Sequence, residues 1–124
     1  ELGTLKNVLK ASLVCMMAGA NFIKTSTGKE NINATLPVTL VMSRAIREYF
    51  ELTEFEVGYK PAGGISSAKE CLSHMMLIKE ELGSRWLNPS LFRIGASSLL
   101  SDIERQIEHF STGKYSSFHR HGIA

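Results

Sequence analysis

A chain of 124 residues with 44% hydrophobic content is long enough for one domain and apolar enough to bury a core, so a disordered chain is excluded. A formal net charge of +2 is too small to point to nucleic acid or to a membrane surface. No run of about 18 apolar residues is present to form a membrane span, and Glu1-Leu2-Gly3-Thr4 lacks the basic and apolar regions of a signal peptide and has no initiating methionine.

Leu5, Val8, Leu9, Ser12, Leu13 and Met16 recur at helical spacing, and Gly19 closes that helix. Asn21 to Thr25 reads as a short strand. Asn33 or Thr35 then caps a second helix, with Pro37 in its first turn and an apolar face of Leu36, Leu40, Val41, Ile46 and Phe50. Phe55 to Lys60 forms a second strand, stopped by Pro61 and the Gly63-Gly64 pair. Ser66 or Ser67 caps a third helix, and Glu70 is placed to complete a capping box from Ser67. The stripe Ala68, Cys71, Leu72, Met75, Met76 and Leu82 is its expected core face, and Gly83 ends it. Leu91 to Ala96 is a third strand. A last helix carries Leu99, Leu100, Ile103, Ile107 and Phe110 on one side, and residues 111–124 form a polar, mobile tail.

Cys15 and Cys71 lie in apolar helical patterns and read as buried free thiols of a cytoplasmic protein. His74, beside an apolar stripe, reads as a packed side chain. His109, His119 and His121 have no Cys or carboxylate at metal-ligand spacing, so no metal site is expected. Lys79-Glu80-Glu81 and Asp102-Ile103-Glu104-Arg105 read as solvated helix faces, and Trp86 as packing.

The order α, β, α, β, α, β, α with tight turns suits parallel βαβ crossovers. Three strands are too few to close a barrel, so the chain reads as a section of something larger. Alternation along each strand places Phe22 with Lys24, Gly58 with Lys60, and Arg93 with Gly95 and Ser97. Adjacent strands in register then bring Lys24 and Lys60 together at the carboxyl ends, where parallel α/β architectures bind ligands. Two ammonium groups held close and partly out of water destabilise each other's charged state. A neutral amine attacks a carbonyl carbon to give a Schiff base, whose iminium accepts electrons from an adjacent carbon–carbon bond.

Three glycine-containing loops follow the strands: Thr27-Gly28-Lys29, Gly63-Gly64-Ile65-Ser66 and Gly95-Ala96-Ser97-Ser98. Glycine admits a close backbone approach. Each loop leads toward a helix N-terminus, where free N–H groups favour a phosphate. Taken singly, a strand-end lysine is commonly a solvated terminus, Gly-Gly a turn and Ser97-Ser98 a helix cap. Their recurrence in one register points to a site for a phosphorylated carbonyl compound.

The segments Phe22-Ile23-Lys24-Thr25-Ser26-Thr27-Gly28-Lys29, Lys60-Pro61-Ala62-Gly63-Gly64-Ile65 and Phe92-Arg93-Ile94-Gly95-Ala96-Ser97-Ser98-Leu99-Leu100 resemble, in order and spacing, three signatures of the deoxyribose-phosphate aldolase family. Ala45-Ile46-Arg47 and the 102–107 segment are similar to animal members. The resemblance implies a TIM (β/α)₈ barrel, of which residues 1–124 would be the C-terminal part, about the last three βα units of one domain. It implies a lyase that reversibly cleaves 2-deoxy-D-ribose 5-phosphate to D-glyceraldehyde 3-phosphate and acetaldehyde, with no cofactor and no metal. Lys24 matches the Schiff-base lysine and Lys60 the second lysine that perturbs it. Gly28, Lys29, Gly63, Gly64, Ser97 and Ser98 match phosphate-loop positions, and Thr27 a substrate-contacting hydroxyl.

The chain departs from the family at three points. No residue matches the proton-shuttling aspartate of an earlier strand. Ser66 stands where many members carry arginine, and the end lacks the C-terminal tyrosine of bacterial members. The expected partners are a small phosphorylated aldehyde, and either a second copy or the missing part of the barrel. The other readings are a catalytically inactive fragment, or another Schiff-base barrel such as a transaldolase or a fructose-bisphosphate aldolase.

Overall fold

The computed structural model of the chain describes residues 2–26, 32–117 and 120. The N-terminal helix α1 (Leu5–Met17) begins at Thr4, whose hydroxyl accepts from the Asn7 N–H. The chain turns at Gly19 (φ +93°) into strand β1 (Phe22–Lys24). Helix α2 (Leu36–Thr53) starts at Thr35, with Pro37 in the first turn, where its missing N–H leaves no intrahelical bond unmade. Strand β2 (Gly58–Lys60) leads to α3 (Ala68–Leu82), which is followed by a single 3₁₀ turn at Ser84–Trp86. Helix α4 (Leu99–Thr112) closes at Gly113 in the left-handed conformation (φ +72°).

Strands β1 and β2 pair in parallel with the register Phe22–Gly58, Ile23–Tyr59 and Lys24–Lys60. Ile23 and Tyr59 therefore share a face. They are buried against Met16 of α1, Met42 and Ile46 of α2 and Ile78 of α3. Trp86 floors this core, donating its indole N–H to the Val57 carbonyl (3.0 Å) and meeting the Phe50 ring edge-on at 5.4 Å. A second cluster of Ala34, Ile65, Cys71 and Leu99 joins α3 to α4. Helices packed on parallel strands are the repeating unit of a barrel, and this chain fits an arc of one.

The expected third strand is interrupted. Residues 91–95 run parallel to β2: the Tyr59 N–H donates to Leu91 (2.8 Å), and the N–H groups of Arg93 and Gly95 donate to Tyr59 (3.1 Å) and Pro61 (2.9 Å). Only isolated bridges result, Tyr59–Phe92 and Ala62–Gly95. The physical reason is Pro61, which has no N–H to give at the rung between them.

Several burial expectations are corrected as well. Cys15 is exposed, whereas Cys71 is buried; both are free. Leu36, Leu72, Met76, Leu100, Ile107 and Phe110, expected on core faces, are exposed, Phe110 at 93%. Periodicity finds the apolar side of a helix but not which part of it meets a neighbour: α3 buries Cys71 and His74 as expected, and Ile78, outside the expected stripe, with them. Glu81 is not a solvated charge: Arg44 and Arg47 of α2 both bridge to it, at 3.2 and 3.0 Å. Of the expected tail, 111–112 continue α4, Tyr115 stacks on His109 (3.8 Å between centroids), and Arg120 pairs with Glu108 (3.0 Å). His119 and His121 lie outside the described residues.

The capping box of α3 forms as expected. The Ser67 hydroxyl accepts from the Glu70 N–H, and the Glu70 carboxylate accepts from the N–H groups of Ser66 (2.9 Å) and Ser67 (3.0 Å). These backbone donors hold the Glu70 carboxyl below its ordinary range. A depressed folded pKa means this contribution is present above the unfolded carboxylate value of about 4.3 and is lost as pH falls through the folded one. Glu70→Gln is expected to flatten that limb of a stability-against-pH curve, measured by thermal unfolding; an unchanged limb would remove Glu70 from the cap.

Candidate functional site

Lys24 and Lys60 are the last residues of β1 and β2 and are direct register partners, so their side chains leave the sheet one strand spacing apart, about 4.8 Å. Both lie on the face opposite Ile23 and Tyr59. Below them the Phe22 ring covers Gly58, where a Cβ would sit 2.4 Å from the ring, and Arg93 lies over that ring at 4.7 Å. Beside them Gly95 leaves room for the Lys60 stem, whose Cε would stand 3.3 Å from a Cβ at that position. Lys24 Nζ donates to the Ser26 carbonyl.

An open cleft of about 480 Å³ gathers Lys24, Lys60, Gly63, Gly64, Ser97 and Ser98. The same cleft includes Ser66. Gly63 (φ +95°) and Gly64 (φ +93°) hold conformations that L side chains rarely adopt, so the turn behind Lys60 depends on glycine. Thr27, Gly28 and Lys29 lie outside the described residues.

The loop ends differ in what they offer an anion. The N-terminus of α3 is already occupied: besides the Glu70 contacts, the Ala68 N–H donates to the Asp102 carboxylate of α4 at 2.7 Å. Asp102 is thus no solvated residue, and the N–H groups of Ser66, Ser67, Ala68 and Glu70 at this helix start, expected to be free, are taken. The α4 N-terminus differs, because its cap Ser98 makes no side-chain hydrogen bond to it. Its N–H dipole lies beside the cleft through Ser97 and Ser98.

Sequence reasoning missed Thr25. Its hydroxyl donates to the Ala62 carbonyl (2.6 Å) and accepts from the Ala62 N–H (2.9 Å), tying the two strands together just past the lysines. The only signal was a threonine following Lys24 on a strand. Thr25→Val leaves the N–H and C=O of buried Ala62 without this partner and is expected to cost about 1–3 kcal/mol, measured by denaturant unfolding, with Thr25→Ser close to the parent; an equal loss in both variants would attribute the effect to packing.

A family profile described as "DeoC/LacD family aldolase" matches residues 4–103. The curated deoxyribose-phosphate aldolase of Mus musculus is 67% identical over 119 residues, which is 96% of this chain and 37% of the mouse protein. Its Homo sapiens counterpart is 65% identical over the same shares. The crystal structure of the apo form of a Toxoplasma gondii protein superposes with a TM-score of 0.74 at 24% identity, over 92% of this chain and 43% of that one, which speaks for the fold. The chain spans 37% of the length of the mouse and human relatives.

Proposed function

This chain belongs to the DeoC/LacD family of aldolases, and we propose that, within a longer polypeptide, it carries the amine and phosphate-binding parts of a deoxyribose-phosphate aldolase. The observation that carries the reading is the Lys24–Lys60 pair at adjacent strand ends over a cleft lined by glycines and serines.

Lys24 Nζ adds to the aldehyde carbon of open-chain 2-deoxy-D-ribose 5-phosphate, and loss of water gives the iminium. The C2–C3 bond then breaks. Its electron pair moves into the iminium to give an enamine, while the C3 hydroxyl loses its proton and becomes the aldehyde of D-glyceraldehyde 3-phosphate. Protonation of the enamine carbon and addition of water release acetaldehyde and regenerate the amine. Lys60, the register partner of Lys24, would place a second cation one strand away from the reacting amine. The proton-transferring carboxylate of the family would come from the part of the polypeptide outside this chain. Gly63, Gly64, Ser97 and Ser98, with Gly28 and Lys29, would hold the phosphate, and Thr27 would contact the sugar.

Barrel completion by the rest of the polypeptide, or association with a second copy, belongs to the same reading, which the exposed apolar residues of α4 support. Two free cysteines support a reducing, cytoplasmic setting. The test is borohydride trapping with acetaldehyde. An added ethyl group on Lys24 is expected; a folded protein that gains no adduct is an inert scaffold.

A further inference from the structure

The ladder between β1 and β2 ends at the Lys24–Lys60 pair. The residue after Lys60 is Pro61, which has no N–H to extend it. Past that point a side chain joins the two chains. The Thr25 hydroxyl gives its one proton to the Ala62 carbonyl (2.6 Å) and accepts the Ala62 N–H (2.9 Å), so its donor and acceptor roles are both spent on one residue.

The rest of this loop stem is pinned from other directions. The Pro61 carbonyl accepts from the Gly95 N–H (2.9 Å), and the Gly63 carbonyl accepts from the N–H groups of Asn33 (3.1 Å) and Ala34 (2.9 Å). Of these ties, that of Thr25 is the one that runs to the end of β1, where Lys24 stands. The two exits also touch: a Cβ at Gly63 would lie 3.2 Å from the Ser26 Cβ.

We propose that Thr25 is a positioning residue that sets the distance from the Lys24 amine to the Gly63–Gly64 turn, and through it the preference for a phosphorylated over an unphosphorylated sugar. The proposal rests on reading the cleft as an aldolase site in which that turn holds the phosphate.

The argument is one of two anchors. The sugar is fixed at one end by its bond to Lys24 and at the other by its phosphate at the turn. Lys24 is the chain neighbour of Thr25, and Gly63 is the chain neighbour of Ala62, so the hydroxyl bridge spans the shortest covalent route between the anchors. The phosphate takes no part in breaking the carbon–carbon bond. Its contacts assist the reaction only when the carbonyl carbon reaches Nζ at the same time. A sugar without phosphate has one anchor and is indifferent to that distance. A bridge that merely held the fold together would affect both sugars alike, and the lysines themselves stay paired by their strand register.

The test compares Thr25→Val and Thr25→Ser in the full-length polypeptide. Valine keeps the branched shape and loses both hydrogen bonds, whereas serine keeps both. In Thr25→Val, kcat/KM for 2-deoxy-D-ribose 5-phosphate is expected to fall about tenfold or more. Its kcat/KM for 2-deoxy-D-ribose, and its rate of borohydride-trapped adduct formation with acetaldehyde, are expected within about twofold of the parent. Thr25→Ser is expected to keep the ratio between the two sugars within about threefold.

An unchanged ratio in Thr25→Val, through equal losses or none, would overturn the proposal, as would a loss of preference in Thr25→Ser as large as in Thr25→Val. If Thr25→Val does not fold, amide exchange of the unmutated protein decides. Inorganic phosphate at the turn favours the closed bridge, so it is expected to slow exchange of the Ala62 amide about tenfold more than that of Gly58. The Gly58 N–H, bonded to the Asn21 carbonyl, lies at the far end of the ladder. Equal slowing of both amides, or none, refutes the proposal. A parent that cleaves neither sugar sinks the aldolase reading and leaves the Ala62 amide to judge this one.

Discussion

Replacing Lys24 by alanine in the full-length polypeptide is expected to lower cleavage of 2-deoxy-D-ribose 5-phosphate by about 10⁴-fold or more, the scale on which covalent nucleophiles fail when removed. The borohydride-trappable adduct should vanish with it. Lys60 is a different test. Lys60→Met keeps the stem beside Gly95 but removes the second cation, and is expected to slow turnover by about 10²–10⁴-fold. Lys60→Arg keeps the charge at the paired strand end and should lose less. The adduct identifies the role of each: in Lys60→Met it still forms on Lys24, more slowly. Activity surviving Lys24→Ala, or an adduct on Lys60, would move the nucleophile to the other strand. Equal losses in Lys60→Met and Lys60→Arg would show that shape at that position matters and charge does not.

Gly95→Ala is expected to give the second large effect, on stability and turnover together. A Cβ there would lie 2.7 Å from the Ala62 Cβ and 3.3 Å from Lys60 Cε. The segment cannot simply retreat, because the Gly95 N–H is bonded to the Pro61 carbonyl. Overpacking of this kind costs about 1–3 kcal/mol, and the movable atom is the Lys60 stem. A fall in kcat of about tenfold or more is therefore expected beside a lowered unfolding midpoint. Gly58→Ala is the control: its Cβ would strike the Phe22 ring, 2.4 Å away, below the lysines. It should reduce stability with a smaller change in kcat. If Gly95→Ala leaves turnover unchanged, Lys60 has room that the close approach denies.

Much of the architecture was legible locally. The helix starts fall where they were read, with Thr35 and not Asn33 and Ser67 and not Ser66 as the caps and Glu70 completing the box, because a cap is a matter of three or four consecutive residues. Alternation placed Phe22 on one face with Lys24 and Gly58 with Lys60, and the observed register sets Phe22 beside Gly58 and Lys24 beside Lys60. The glycine and serine loops behind Lys60 and before α4 were likewise visible, and they do line one cleft.

By itself, then, the sequence determined the order of the four helices and the two paired strands, their caps, and the two strand faces that carry Lys24 and Lys60. These follow from spacings of two to four residues along the chain, which local backbone geometry imposes. The tertiary structure alone decided which turn of each helix is covered, leaving Leu72 and Phe110 outside and drawing Ile78 in. It alone let Pro61 break the ladder of a segment some thirty residues away, and it spent the α3 N-terminus on Asp102 rather than on a ligand. Such outcomes depend on which groups from distant segments meet once water is excluded, where each buried donor must find an acceptor, and no periodicity along the chain encodes that meeting.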